Sequence, residues 1–188
     1  MPAKKTKNEI IEEGNALFES GNYKKAIKIY NKVLWDVYGE ELRKIHQRIG
    51  DAYYYLNDLP SASFNYLVTD AEGKNELEDK NAYYRRAKAF GESFLRAQSI
   101  KDFSMAIQLD PYFAEAYMGR GKVYAFKIAP NARYTTEEEF NTEGEMGIYE
   151  KAIRDFTKAI ELRPQNFDGY KQRGKCYEKN WIIIVKVR

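Results

Sequence analysis

The two side chains best suited to chemistry at neutral pH each occur once in this 188-residue sequence: His46 and Cys176. A nucleophile needs a base within hydrogen-bond reach, and no histidine lies near Cys176 in sequence. The periodicity around His46 puts it at a packing position of a helix. Glu137, Glu138 and Glu139 form an acidic run, but adjacent residues on a helix point in different directions, which argues against a carboxylate metal cluster. There is no Gly-rich phosphate loop, CxxC pair or HExxH motif. The expectation is a protein with no catalytic residues, no metal and no cofactor. What is left is binding chemistry, and its residues depend on the elements that position them.

The bulk composition suits a folded chain: 44% apolar, 31% charged, with 16 tyrosines and 10 phenylalanines that can build a core from few positions. A net charge of +3 is too small to argue by itself for nucleic acid. One cysteine rules out an internal disulfide. The lysines of "MPAKKTKNEIIEEG" have no apolar stretch behind them, so the N-terminus does not read as a secretory signal. No run approaches the roughly 20 apolar residues of a membrane helix. These features predict a cytoplasmic protein that does not enter a membrane.

The positioning elements show themselves in a doubled phrase. "SIKDFSMAIQLDP" (Ser99–Pro111) and "AIRDFTKAIELRP" (Ala152–Pro164) agree at seven of thirteen positions, 53 residues apart. In the first copy Ile100, Phe103, Ala106 and Ile107 fall at helical spacing and Pro111 ends the helix. Before it, Tyr83, Ala87 and Phe90 mark another amphipathic helix. The same helix–turn–helix template fits Gly14, Tyr23, Ala26 and Tyr30, then Gly50, Tyr53, Ala62 and Tyr66. It fits again at Gly121, Tyr149, Ala152 and Phe156, and opens once more at Tyr170, Gly174 and Tyr177. Gly14, Gly50, Ala87, Gly121 and Gly174 are small so that a neighbouring helix can approach. Their spacings are 36, 37, 34 and 53, a basic period of 34 with 19 residues inserted in the last.

The pattern resembles the tetratricopeptide repeat, which has a 34-residue period and a series of aromatic, small and closing proline positions. The third unit matches without a gap, and the fourth matches once the insertion is removed. The first two units lack the closing proline and carry Val33 and Thr69 where a small alanine is usual. The resemblance implies an all-α, right-handed superhelical solenoid of stacked antiparallel hairpins. It would form a single domain over 1–188, with repeats at about 7–40, 43–76, 80–113 and 114–166 and a partial fifth at 167–179.

Two segments break the pattern. The insertion, 127–145, has loop signals at Pro130 and Asn131 and a helix start at "TTEEEF", with Thr135 or Thr136 as cap. It reads as a loop with one short helix, or as an acidic contact arm. The apolar tail, 180–188, has three readings: Trp181 and Ile182–Ile184 fold back over the last helices, the tail pairs with another chain, or the natural protein is longer.

In proteins of the family the first helix of each hairpin lines a concave groove that holds extended peptides. Carried onto this sequence, the groove residues include Asn15, Arg48, Tyr54, Tyr55, Tyr84, Arg85, Lys88, Lys122, Lys171 and Lys175. Cations interleaved with tyrosines suit an acidic peptide or a terminal carboxylate. Some relatives grip the C-terminal carboxylate of heat-shock chaperones with five Lys, Asn and Arg positions. Here Asn15 and Arg85 match, while Ile11, Arg48 and Asn81 do not, so that ligand is not assigned. The expected function is a protein-interaction module (adaptor, scaffold or co-chaperone-like) binding another protein through an extended segment. The alternatives are self-assembly into a homo-oligomer through the C-terminal tail and, less favoured, single-stranded nucleic-acid binding by stacking on tyrosines.

Overall fold

The computed structural model describes the backbone at residues 5–70, 77, 79–127 and 137–187, with side chains except at 70, 127, 137–146 and 183–187. Among these residues there are nine α-helices and no strand: α1 (Lys7–Glu19), α2 (Tyr23–Tyr30), α3 (Gly39–Tyr55), α4 (Leu59–Asp70), α5 (Lys80–Glu92), α6 (Arg96–Leu109), α7 (Ala114–Lys127), α8 (Glu137–Leu162) and α9 (Phe167–Val187). Consecutive helices pair as hairpins, α1 with α2 through α7 with α8, and α9 packs on α8. The architecture is an all-α helical-repeat solenoid, as the doubled phrase predicts.

Contacts divide the chain into two compact units, Met1–Glu76 and Leu77–Arg188. Each has its own apolar clusters.

In the first unit, a β-carbon on Gly14 or Gly50 would lie 2.6 Å from Cε1 of Tyr30 or Tyr66. Glycine is needed because the rings occupy that space. The hydroxyl of each ring is satisfied one residue further along: Tyr30 donates to Asn15 Oδ1 at 2.8 Å and Tyr66 to Asp51 Oδ1 at 2.6 Å. Val33 and Thr69, the departures from the repeat pattern, are both buried. The Thr69 hydroxyl donates to the Tyr66 carbonyl at 2.7 Å, so its burial leaves no orphaned polar atom. Thr6 and Glu9 form a reciprocal capping box at the start of α1. Both hairpin turns pass through a left-handed residue, Gly21 at φ +75° and Asn57 at φ +59°, types that tolerate it.

The second unit replaces tyrosine with phenylalanine. Phe156 closes on Gly121, where a β-carbon would lie 2.8 Å from Cε1. Phe103 lies in the same cluster as the fully buried Ala87. A phenyl ring has no hydroxyl, and the polar tie instead joins the residue before the small position to the residue before the ring. Arg86 donates from Nε and Nη2 to Asp102 at 2.6 and 2.7 Å, and Arg120 donates from the same atoms to Asp155 at 2.8 Å each. Both forks are bidentate, the arrangement that best offsets the desolvation of buried charge. The aspartate of the doubled phrase is thus the anchor of its hairpin.

The two breaks differ from expectation. Pro130, Asn131, Thr135 and Thr136 lie outside the described residues. From Glu137 onward the insertion is helical and continuous with the rest of α8, so it does not form a separate short helix. The tail does not fold back: α9 runs unbroken from Phe167 to Val187, with no Gly or Pro after Gly174 to end it. Trp181 is 67% exposed. Gly174 also departs from its expected role. A β-carbon there meets nothing within 4 Å, because no second helix lies against that side of α9 among the described residues.

Candidate functional site

A groove of about 1380 Å³ opens within the second unit. Its walls are first helices: Tyr84 and Lys88 from α5, Met118 and Lys122 from α7, Gln172 and Lys175 from α9. Tyr84 is held by rings, edge-on to Phe103 at 5.8 Å and tilted against Phe113 at 5.1 Å.

The lining is electropositive. Lys88, Arg96, Lys122, Arg163, Lys175 and Lys179 outnumber Glu92, Glu115 and Asp168 two to one. Arg163 pairs with Glu115, and Lys122 lies 2.7 Å from Asp168. Hydrogen bonds from Lys122 and Gln172 hold the Asp168 carboxyl below the usual carboxylate range. Both partners of the Lys122 pair are half-exposed, so a ligand carboxylate can compete for the lysine at little cost.

Of the residues expected from the repeat pattern, the groove gathers Tyr84, Lys88, Lys122 and Lys175. Arg85 and Lys171, on α5 and α9, are not among its lining residues. The other four lie in the first unit, each engaged there. Asn15 accepts the Tyr30 hydroxyl. Arg48 pairs with Glu19 at 3.0 Å and sits 5.0 Å from the Phe18 ring. Tyr55 stacks on Tyr23 with centroids 5.0 Å apart and meets Tyr54 edge-on at 5.7 Å.

The reactive types are placed for structure. His46 Nδ1 lies 2.9 Å from Asn65 Oδ1, which assigns the proton to Nδ1 as donor. Cys176 is buried in the cluster around Phe156, and burial pushes its thiol up to about 11. Among the described residues no three His, Cys, Asp or Glu side chains gather closely enough to hold a metal ion, and no helix is long and apolar enough to cross a membrane.

The family profile described as tetratricopeptide repeat matches residues 11–34 and 142–166, within the first and fourth hairpins. These two segments carry tetratricopeptide repeats. Repeat proteins of this kind are generally interaction modules rather than catalysts. No curated protein matches the sequence. Among solved structures, this repeat protein is similar in fold to the MamA protein, with 22% identity, TM-score 0.59 and coverage of 91% of this chain and 80% of that one. It is also similar to YrrB, a TPR protein with an unusual peptide-binding site, with 17% identity, TM-score 0.63 and coverage of 91% and 77%.

Repeat reasoning looks to fixed positions of first helices and so misses Phe94 and Arg96, at the turn and start of α6, and Phe126, near the end of α7, which also line the groove. One signal was available. Counting along the hairpins, Gly21 and Asn57 are followed by Phe94, a residue type that does not belong in that turn.

Proposed function

We propose that the groove between α5, α7 and α9 binds an extended peptide segment of a partner protein, with carboxylates on the peptide opposite the lysines. The observation that carries this reading is the groove itself, roomy, built from rigid helices and lined by twice as many cations as carboxylates. Side chains held on stacked helices lose little freedom when a peptide docks. The fold shared with YrrB, a TPR protein with an unusual peptide-binding site, supports the class of ligand. The protein acts as an adaptor or scaffold.

A peptide-array screen at low and high salt, with free-acid and amidated C-termini, tests it. Acidic or free-acid peptides are expected to bind, and Lys122→Ala and Lys175→Ala to weaken them several-fold more than Lys101→Ala, at an exposed position of α6 away from the groove lining. Equal effects at all three lysines would refute the groove. A second reading, assembly of copies through the end of α9, is favoured by the exposure of Trp181 and Ile182. It requires a dimer that dissociates on Trp181→Ser substitution.

A further inference from the structure

One corner of the groove collects positive charge and offers it no anion. The turn from α5 to α6 places Phe94 and Leu95 where the turns of the first unit have Gly21 and Asn22, or Asn57 and Asp58. Where Gly21 and Asn57 take the left-handed conformation, the third turn has Phe94 at φ +63°. A bulky side chain there is disfavoured, because its β-carbon crowds the following carbonyl. Such strain persists where the surroundings hold it in place, and often at binding sites.

The next position tells the same story. Asp58 accepts the Ser61 amide at 3.1 Å at the start of α4. Its counterpart is Leu95, which has no acceptor to offer. The first turn of α6 has no side-chain cap and no acidic residue, so the positive end of this 14-residue helix is unanswered.

Into that turn the chain places another cation, Arg96. The residue is 7% exposed, and its Nη1 is buried with no hydrogen-bond partner among the described residues. Its guanidinium lies 4.6 Å from the Phe126 ring centroid and 5.9 Å from that of Phe94. Burial alone pushes its pKa down, and no acid beside it counteracts the shift. A buried charge without a partner is among the most expensive features a fold can carry. The two rings that flank it are 62% and 54% exposed. Rotating one aside uncovers the guanidinium and gives up a single cation–π contact, which a charge-assisted hydrogen bond outweighs.

We propose that Arg96 and the first-turn amides of α6 form a receptor for a peptide carboxylate, with the Phe94 and Phe126 rings holding the apolar side chain beside it. This subsite rests on the reading that the groove takes peptides, and adds to it a fixed point for the acid. The acid comes either from the end of a chain or from an aspartate or glutamate side chain. Lysines along the groove give general attraction, whereas the buried guanidinium selects one carboxylate by direct hydrogen bonding.

The test titrates the full chain, followed by amide chemical shifts, with three short peptides: acetyl-Gly-Ala-Phe as the free acid, the same peptide amidated, and amidated acetyl-Gly-Asp-Phe. The free acid or the Asp peptide is expected to bind at least tenfold more tightly than the neutral peptide, and which of them does so identifies the source of the carboxylate. Arg96→Gln removes that preference, and Lys101→Gln leaves it. Arg96→Gln is also expected to melt no lower than the parent, since it deletes an uncompensated charge. Equal binding of acid and neutral peptides, no binding of any of the three, or a preference that survives Arg96→Gln overturns the subsite. A variant that melts lower yet keeps the preference marks Arg96 as a structural cation. Should array peptides bind through Lys122 and Lys175 while these probes ignore Arg96, the groove stands and the subsite falls. The reverse pattern leaves a small-carboxylate site and removes the extended peptide.

Discussion

Gly14 and Tyr30 touch so closely that a β-carbon on the glycine would sit 2.6 Å from Cε1 of the ring. Gly14→Ala and Gly50→Ala must therefore push a buried tyrosine out of place, a form of overpacking that costs about 1–3 kcal/mol. Gly121→Ala meets Phe156 in the same way. Gly174→Ala has the opposite sign. It meets no atom within 4 Å and gains the helix propensity of alanine, roughly 0.5–1 kcal/mol. Urea unfolding of the four variants checks the ordering.

The Arg86–Asp102 fork is almost wholly buried, with side chains 3% and 2% exposed. Asp102→Ala leaves a guanidinium inside the second unit without its carboxylate and is expected to cost about 3–5 kcal/mol. The double variant Arg86→Met, Asp102→Leu recovers most of that loss, because no charge then needs burying. Chemical denaturation of the two variants separates the cost of a broken pair from the worth of an intact one.

Phe94→Asn relieves the left-handed strain, as Asn57 does in the second hairpin. It loses the ring beside Arg96, 5.9 Å away, as well as the tilted contact with Phe126 at 6.5 Å. The left-handed penalty of about 1–2 kcal/mol exceeds these exposed ring contacts, so the variant is expected to melt slightly higher. A lower melting temperature would show that the rings hold the turn together.

Alkali should loosen both units. Burial raises the Cys176 thiol to about 11 and the Tyr30 hydroxyl to about 12, against 9.0 and 10.0 when free. Above pH 9 the unfolded chain gives up the thiol proton while the folded chain keeps it. Unfolding then releases a proton, and stability falls as pH rises from 9 through 11 for Cys176 and from 10 through 12 for Tyr30. Urea midpoints between pH 8 and 11 measure the fall, and Cys176→Ala should flatten its first part. At pH 8 the native thiol should also resist a disulfide reagent that labels the unfolded chain at once.

The hairpins are legible in the sequence because their demands are local. Gly14, Gly50 and Gly121 announce an approaching ring, and Pro111 and Pro164 end their helices. The expectation failed at Gly174, where the same residue type has no ring against it. A glycine records that a close approach is permitted, not that one occurs. Tyr84, Lys88, Lys122 and Lys175 line one groove because the first helices of the second unit share one orientation. Arg96 was not legible in the sequence, because its significance lies in what is missing around it: a cap at Leu95, an acid in the first turn, a flexible residue at Phe94. Absences of that kind emerge only once neighbours are placed. For the apolar end of α9 the sequence left three readings open, a fold-back, a pairing with another chain or a longer natural protein, and the structure continues it as helix. An existing helix can carry several β-branched residues when nothing interrupts it.

The arginine–aspartate fork closes across 16 residues in the α5–α6 hairpin and across 35 in the α7–α8 hairpin. The same atoms meet with the same geometry although one connection is far longer than the other. Alignment of these helices is therefore written on their facing surfaces, not in the length of chain that joins them. Sliding one helix by a turn, about 5.4 Å, would strand the guanidinium and drive the phenyl ring onto a side chain. The link between α7 and α8 is thus a splice point, where a foreign loop or tag could be grafted while the hairpin still finds its own register.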